Sequence, residues 1–292
     1  MAPPKAILFD VGGVVVLSPF QAILDYEVEN HIPPGYINHA IQRGPPDTGA
    51  WQRLERGDCP LDDAWFAAFQ TQLQRPPVWR EYWIRFHARG GGHADPGSNG
   101  GDDATAELDA QVPPVPHIAA SALFWRMMRY SRRPDAHMYA ALKRLRSVGA
   151  GRWVVGALSN TVAFPPGVRD DGGAVFDAGV EFPRAAGYRG DSRDVADWFD
   201  VYLGSARMGV RKPDPEAYRL SVRELSRVAE ARGLGRVEAR DVLFLDDIGV
   251  NLKVARQVGM RTIKVDLGGT REAVRKLEAE VGMSLTEGKS RL

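Results

Sequence analysis

KAILFDVGGVVV, residues Lys5 to Val16, is the stretch from which the fold of this chain can be read. Ala6, Ile7, Leu8 and Phe9 form an unbroken apolar run that suits a short strand buried on both faces, and the run stops at Asp10, ahead of Gly12 and Gly13. In an open α/β sheet the position just past a strand's carboxyl end opens into the ligand crevice, and glycines there let a ligand or metal approach the backbone. Asp10 therefore reads as a carboxylate nucleophile that also binds a metal. On this stretch alone the competing reading is an Asp that caps the next turn.

Four further strands of the same kind follow later in the chain: Arg152 to Leu158, Phe199 to Gly204, Val242 to Leu245 and Arg261 to Val265. Helical patterns separate them, at Asp135 to Val148, Glu216 to about Arg232, about Asn251 to Val258, and Arg271 to Val281. Alternating strands and helices predict an α/β fold with a Rossmann-like parallel five-stranded sheet and right-handed crossovers. Between the first and second strands the pattern is helical instead. Ser18 and Pro19 make an N-cap and first-turn pair, and apolar and aromatic residues recur at three- and four-residue spacing in Trp51 to Arg56, Leu61 to Leu73, Trp79 to Ala88 and His117 to Tyr130. An all-helical insert is expected there, with its ten aromatics from Trp51 to Trp125 forming its own core. Within it, residues 90–116 are rich in Gly, Asp and Pro and predict a flexible loop, so His93, Asp95, Asp102 and Asp103 lack the rigid support a metal site needs.

Composition narrows the function classes. With 38 Lys plus Arg against 37 Asp plus Glu, the net charge of +1 gives no reason to expect nucleic acid or an anionic membrane as partner. No apolar run approaches the roughly 20 residues of a spanning helix, and MAPPKAILFD lacks a signal-peptide pattern, so a soluble, cytoplasmic protein is expected. Cys59 is the single cysteine, which excludes an internal disulfide and a cysteine-rich metal site. The six histidines show no ligand spacing, and oligomeric state is not legible.

Strand ends now carry Asp10, Ser159 with Asn160, and Asp246 with Asp247, with Lys212 nearby. A parallel sheet places all its carboxyl ends on one edge, so these residues can meet in one cleft. The types suit phosphoryl transfer. A carboxylate attacking a phosphate dianion needs cationic compensation, which an oxygen-ligated Mg²⁺ and a lysine supply, while a hydroxyl and backbone N–H groups donate to the phosphate oxygens.

These residues resemble, in order, the four motifs of the haloacid dehalogenase-like hydrolase superfamily: Asp10 in FDVGGV, Ser159 in LSNT, Lys212 in GVRKPDPEAY, and Asp246-Asp247 in FLDDIGVNLKVA. The wording is especially similar to the N-terminal phosphatase domain of soluble epoxide hydrolases, in which a helical cap lies between motifs one and two. The resemblance implies a Rossmannoid core at 1–16 and 134–292 and a helical cap at 17–133. It implies a small phosphorylated substrate bound by Gly13, Ser159, Asn160 and Lys212, with Asp10, Ser159 and Lys212 catalytic through an aspartyl-phosphate intermediate. Mg²⁺ would be held by the Asp10 carboxylate, the Gly12 carbonyl and Asp247, with Asp246 and Asn251 supporting it from behind.

One departure matters for mechanism. The family's phosphatases usually carry a second Asp two residues after the nucleophile, as general acid; here that position is Gly12. Such proton transfer is typically worth 10² to 10⁴-fold, roughly 3 to 5 kcal/mol of barrier. The sequence thus implies a phosphatase that is weak or prefers good leaving groups, or one in which a cap group such as Asp25 or His31 supplies the proton. The alternatives are a haloacid dehalogenase-type hydrolase, whose halide leaves without a proton, and a catalytically impaired phospho-ligand-binding protein. The last residues, Ser290-Arg291-Leu292, resemble a peroxisomal address of the Ser-Lys-Leu type, which makes peroxisomal residence a second expectation.

Overall fold

The computed structural model describes residues 3–88, 107–149, 151–183, 188 and 190–286. Most of the Gly-rich stretch, including His93, Asp95, Asp102 and Asp103, and the C-terminal Ser290-Arg291-Leu292 lie outside the described residues.

Five strands, β1 (Ala6–Phe9), β2 (Val154–Ser159), β3 (Val201–Gly204), β4 (Val242–Asp246) and β5 (Arg261–Lys264), form one parallel sheet in the order β3-β2-β1-β4-β5. β1 is the middle strand. Its residue Phe9 lies level with Ala157 of β2 and Leu245 of β4, which puts Asp10 between the ends of both neighbours. The reason β1 reads as continuously apolar is that both of its faces are covered. Ile7 and Phe9 pack with Met138, Leu142 and Leu145 of α7 (Ala136–Val148) and Val274 and Leu277 of α11 (Thr270–Val281). Ala6 and Leu8, pointing the other way, pack with Tyr218 and Leu225 of α9 (Pro215–Ala231) and Leu252 and Ala255 of α10 (Gly249–Val258). Each large apolar side chain so buried contributes roughly 1.5 to 3 kcal/mol.

The insert holds α1 (Pro19–Glu29), α2 (Tyr36–Gln42), α3 (Ala50–Arg56), α4 (Asp63–Leu73), α5 (Pro76–Ala88) and α6 (Ala120–Tyr130). The Ser18 hydroxyl caps α1 by accepting from the Phe20 N–H at 3.2 Å, with Pro19 in the first turn as the sequence implies. Trp51, Trp65, Phe69, Trp79, Phe124 and Trp125 are buried in one cluster that the sheet does not enter. The chain leaves and re-enters the sheet layer at one place, where the Leu17 N–H donates to the Arg133 carbonyl at 2.8 Å and the Asp135 N–H to Val15 at 2.9 Å.

The sequence pattern misses α2, whose seven residues follow the Pro33-Pro34 break, and α8 (Ser205–Met208), a single turn after β3. The segment after β2 is also better packed than its Gly and Pro content implies. Phe164 and Phe176 lie 6.2 and 4.9 Å from the Trp125 ring, so this loop folds against the insert.

Candidate functional site

Asp10, Ser159, Asp246 and Asp247 stand at the carboxyl ends of β1, β2 and β4, and Lys212 approaches them from the turn between α8 and α9. The turn is fixed from both sides. The Asn160 amide donates to the Lys212 carbonyl at 3.0 Å and its oxygen accepts from the Lys212 N–H at 2.8 Å, while the Asp214 carboxylate caps α9 through the Glu216 N–H. Asn160 thus uses its side chain to position the lysine. The Lys212 ammonium, 1% exposed, bonds Asp10 Oδ2 and Asp246 Oδ2, each at 2.7 Å. Burial works against that charge, but the two carboxylates outweigh it and hold Lys212 above its usual value.

Asp246 is saturated by its neighbours. Besides Lys212, it accepts from the Ile248 N–H at 2.7 Å and, through both oxygens, from the Asn251 amide at 3.1 Å. It is placed to support the site from behind. Asp10 Oδ1 accepts from the Val11 N–H at 2.7 Å. Burial raises Asp10 well above the ordinary carboxylate range, against the pull of Lys212 and with the help of Asp246 and Asp247. Asp247, with burial and then the Asp246 charge as the main causes, is raised to about 7.

Oxygens of Asp10, Asp246 and Asp247 all lie within 4.8 Å of one another. Against three carboxylates stands one ammonium, an excess of negative charge that a hard divalent cation would neutralise. The backbone makes room for this. Gly13 has φ +77°, and a Cβ there would sit 2.2 Å from Asp247 Oδ2, so only glycine lets that carboxylate lie against the turn. Carboxylate oxygens so grouped are donors that suit a hard cation such as Mg²⁺, and the Asn251 amide, bonded to Asp246, orients one of them. At Gly12, by contrast, a Cβ would meet only Pro19 Cδ at 3.8 Å, so the space for a side chain exists and the sequence leaves it empty.

A cavity of about 160 Å³ lies above these groups, lined by Asp10, Ser159, Lys212 and Asp247 from the sheet edge and by Trp51 and Glu55 from α3. It shares Gly12, Trp51, Glu55 and Ser159 with a larger cavity of about 660 Å³ that runs under Met127, Phe164 and Phe176. Asp25 and His31 line neither cavity; Asp25 accepts from the Gln21 amide on α1. Glu55, which carries no sequence motif, lines both, and its partner Arg211 precedes the motif lysine.

No family model matches the chain. Among curated proteins it is similar to acyl-CoA dehydrogenase family member 10 of Mus musculus, 28% identical over 289 residues, which is 97% of this chain and 20% of that protein. Bifunctional epoxide hydrolase 2 of Sus scrofa is 38% identical over 89 residues, 30% of this chain and 14% of that protein. Phosphatase MT3486 of Mycobacterium tuberculosis is 42% identical over 79 residues, 27% of this chain and 32% of that protein. The chain thus spans a fifth or less of the length of the first two. A solved structure of a HAD family enzyme from Bacteroides thetaiotaomicron, in complex with magnesium and inorganic phosphate, superposes with TM-score 0.43 and 20% identity, covering 91% of this chain and 96% of that one.

Proposed function

We propose that this chain is a hydrolase of the haloacid dehalogenase-like superfamily, a magnesium-dependent phosphatase that transfers the phosphoryl group of a small metabolite to Asp10 and then to water. The observation that carries this reading is the Lys212 ammonium held 2.7 Å from Asp10 and from Asp246, beside a third carboxylate at one sheet edge. Asp10 Oδ2 would attack phosphorus, Lys212 would hold the oxyanions, and the Ser159 hydroxyl, bonded only weakly to the Asn160 carbonyl at 3.4 Å, is available to donate to them. A bound magnesium ion would supply charge neutralisation for the phosphoryl oxygens.

In this reading residues 17–133 are a helical cap over a core formed by 1–16 and 134–292, supported by the Leu17 to Arg133 hydrogen bond at its root and by the insert's separate aromatic cluster. Gly12 tempers the expectation for alkyl esters, because their oxygen must be protonated to leave. It also favours a second reading, carbon-halogen hydrolysis, since halide leaves unprotonated. Asp247 speaks against that reading, as a half-buried carboxylate beside Asp10 serves a cation that dehalogenation does not need. The test is a panel of phosphate esters and 2-haloacids with wild type and Asp10→Asn, with and without magnesium. Magnesium-dependent release of inorganic phosphate that Asp10→Asn abolishes supports the phosphatase; halide release without magnesium overturns it.

A further inference from the structure

We infer that Glu55, on α3 of the insert, is the general acid that the chain lacks at position 12, protonating the leaving oxygen of the phosphate ester. The inference rests on the phosphatase reading and deepens it. In the cavity above Asp10, the acidic side chains among the described residues are Asp10, Asp247 and Glu55. With Asp10 as nucleophile and Asp247 as metal ligand in that reading, Glu55 is the remaining acid, and it lines the cavity from a helix of the insert.

Glu55 is held there firmly. Its Oε2 accepts from Arg211 Nε at 2.6 Å and its carboxylate from Trp51, while its backbone carbonyl accepts from the Ser205 hydroxyl. At the end of the same helix a Cβ on Gly57 would fall 2.4 Å from the Ala206 carbonyl oxygen, so α3 and α8 are in backbone contact. The groups facing Glu55 are Arg211, Trp51 and, further off, Lys212. Burial raises its carboxyl above the usual range against the pull of those cations, the direction a proton donor needs.

The step balances. As the Asp10 oxygen bonds phosphorus and the ester P–O bond breaks, the Glu55 proton passes to the leaving oxygen, and the carboxylate formed stays paired with Arg211. In the second half, water bonds phosphorus and the Asp10–phosphorus bond breaks. The water proton returns to Glu55, releasing inorganic phosphate and restoring both groups.

The experiment compares an alkyl phosphate with 4-nitrophenyl phosphate, whose leaving group needs no proton, in wild type, Glu55→Gln and the double variant Glu55→Gln with Gly12→Asp. The single variant should turn over the alkyl ester about 100-fold more slowly, or worse, and the aryl ester less than about fivefold more slowly, with KM little changed. The double variant should recover alkyl turnover. Equal losses on both esters, or no loss on either, would overturn the assignment. If Glu55→Gln does not fold, the wild-type pH profile decides: alkyl turnover should decline toward alkaline pH while aryl turnover holds, and parallel profiles would overturn it. Absence of any Asp10-dependent phosphate release from either ester would instead bring down the phosphatase reading itself, and this inference with it.

Discussion

Asn160 and Lys212, 52 residues apart, exchange two hydrogen bonds of 3.0 and 2.8 Å, so the end of β2 holds the backbone of the lysine that neutralises Asp10. Ordinary hydrogen bonds contribute about 1 kcal/mol each. Asn160→Ala should therefore cost about 1 to 3 kcal/mol of stability and slow turnover by about 10- to 100-fold by loosening the lysine. Chemical denaturation and steady-state kinetics on one preparation check both.

Lys212 itself has a larger effect. Lys212→Met keeps the length of the side chain but leaves Asp10 and Asp246 without their common counter-ion, and removing one partner of a buried ion pair costs about 3 to 5 kcal/mol. Asp10, already raised by burial, would then take up a proton still more readily when folded than when unfolded. A raised folded-state value contributes stability below the unfolded carboxylate range and loses it as pH rises. The variant should be inactive and closest to wild type in stability near pH ~5, falling behind toward pH ~8, as thermal melts across that range would show.

Magnesium affinity should depend on pH through Asp247. With its carboxyl raised to about 7, the group is mostly protonated at pH ~6 and mostly ionised at pH ~8, and only the ionised form is a ligand. The apparent dissociation constant should fall about tenfold across that interval, measured by titration calorimetry. The metal-free protein should show the opposite trend, losing stability as pH rises through about 7, and magnesium should offset that loss.

Gly13→Ala tests the close approach of turn and carboxylate. The new Cβ would collide with Asp247 at 2.2 Å, in a backbone conformation that L-residues rarely adopt. We expect a stability loss of about 1 to 2 kcal/mol and magnesium binding weakened at least about tenfold, with circular dichroism unchanged. Gly12→Ala meets only Pro19 at 3.8 Å and should leave both properties near wild type, which makes it the control.

Most of the sheet edge is legible in sequence, because a buried apolar strand that ends in a polar side chain is a local signal and Asp10, Ser159 and Asp246-Asp247 each close such a run. Glu55 gives no such signal. It sits in RLERG among charges that look like any solvated helix face, and its burial comes from Arg211, 156 residues away, and from α8. The same holds for Phe164 and Phe176, which sit in a Gly- and Pro-containing segment whose sequence does not show that it packs on Trp125. Contacts between the insert and the core depend on three-dimensional closure, and no periodicity records them.

The central claim is that Asp10 is the nucleophile that takes the phosphoryl group. Wild-type protein mixed with magnesium and an aryl phosphate, quenched in acid within milliseconds and digested, should yield one phosphorylated peptide containing Asp10, lost in Asp10→Asn and discharged by hydroxylamine. Phosphate release in which Asp10→Asn keeps wild-type turnover, or a phosphoryl group found on any other residue, would contradict it.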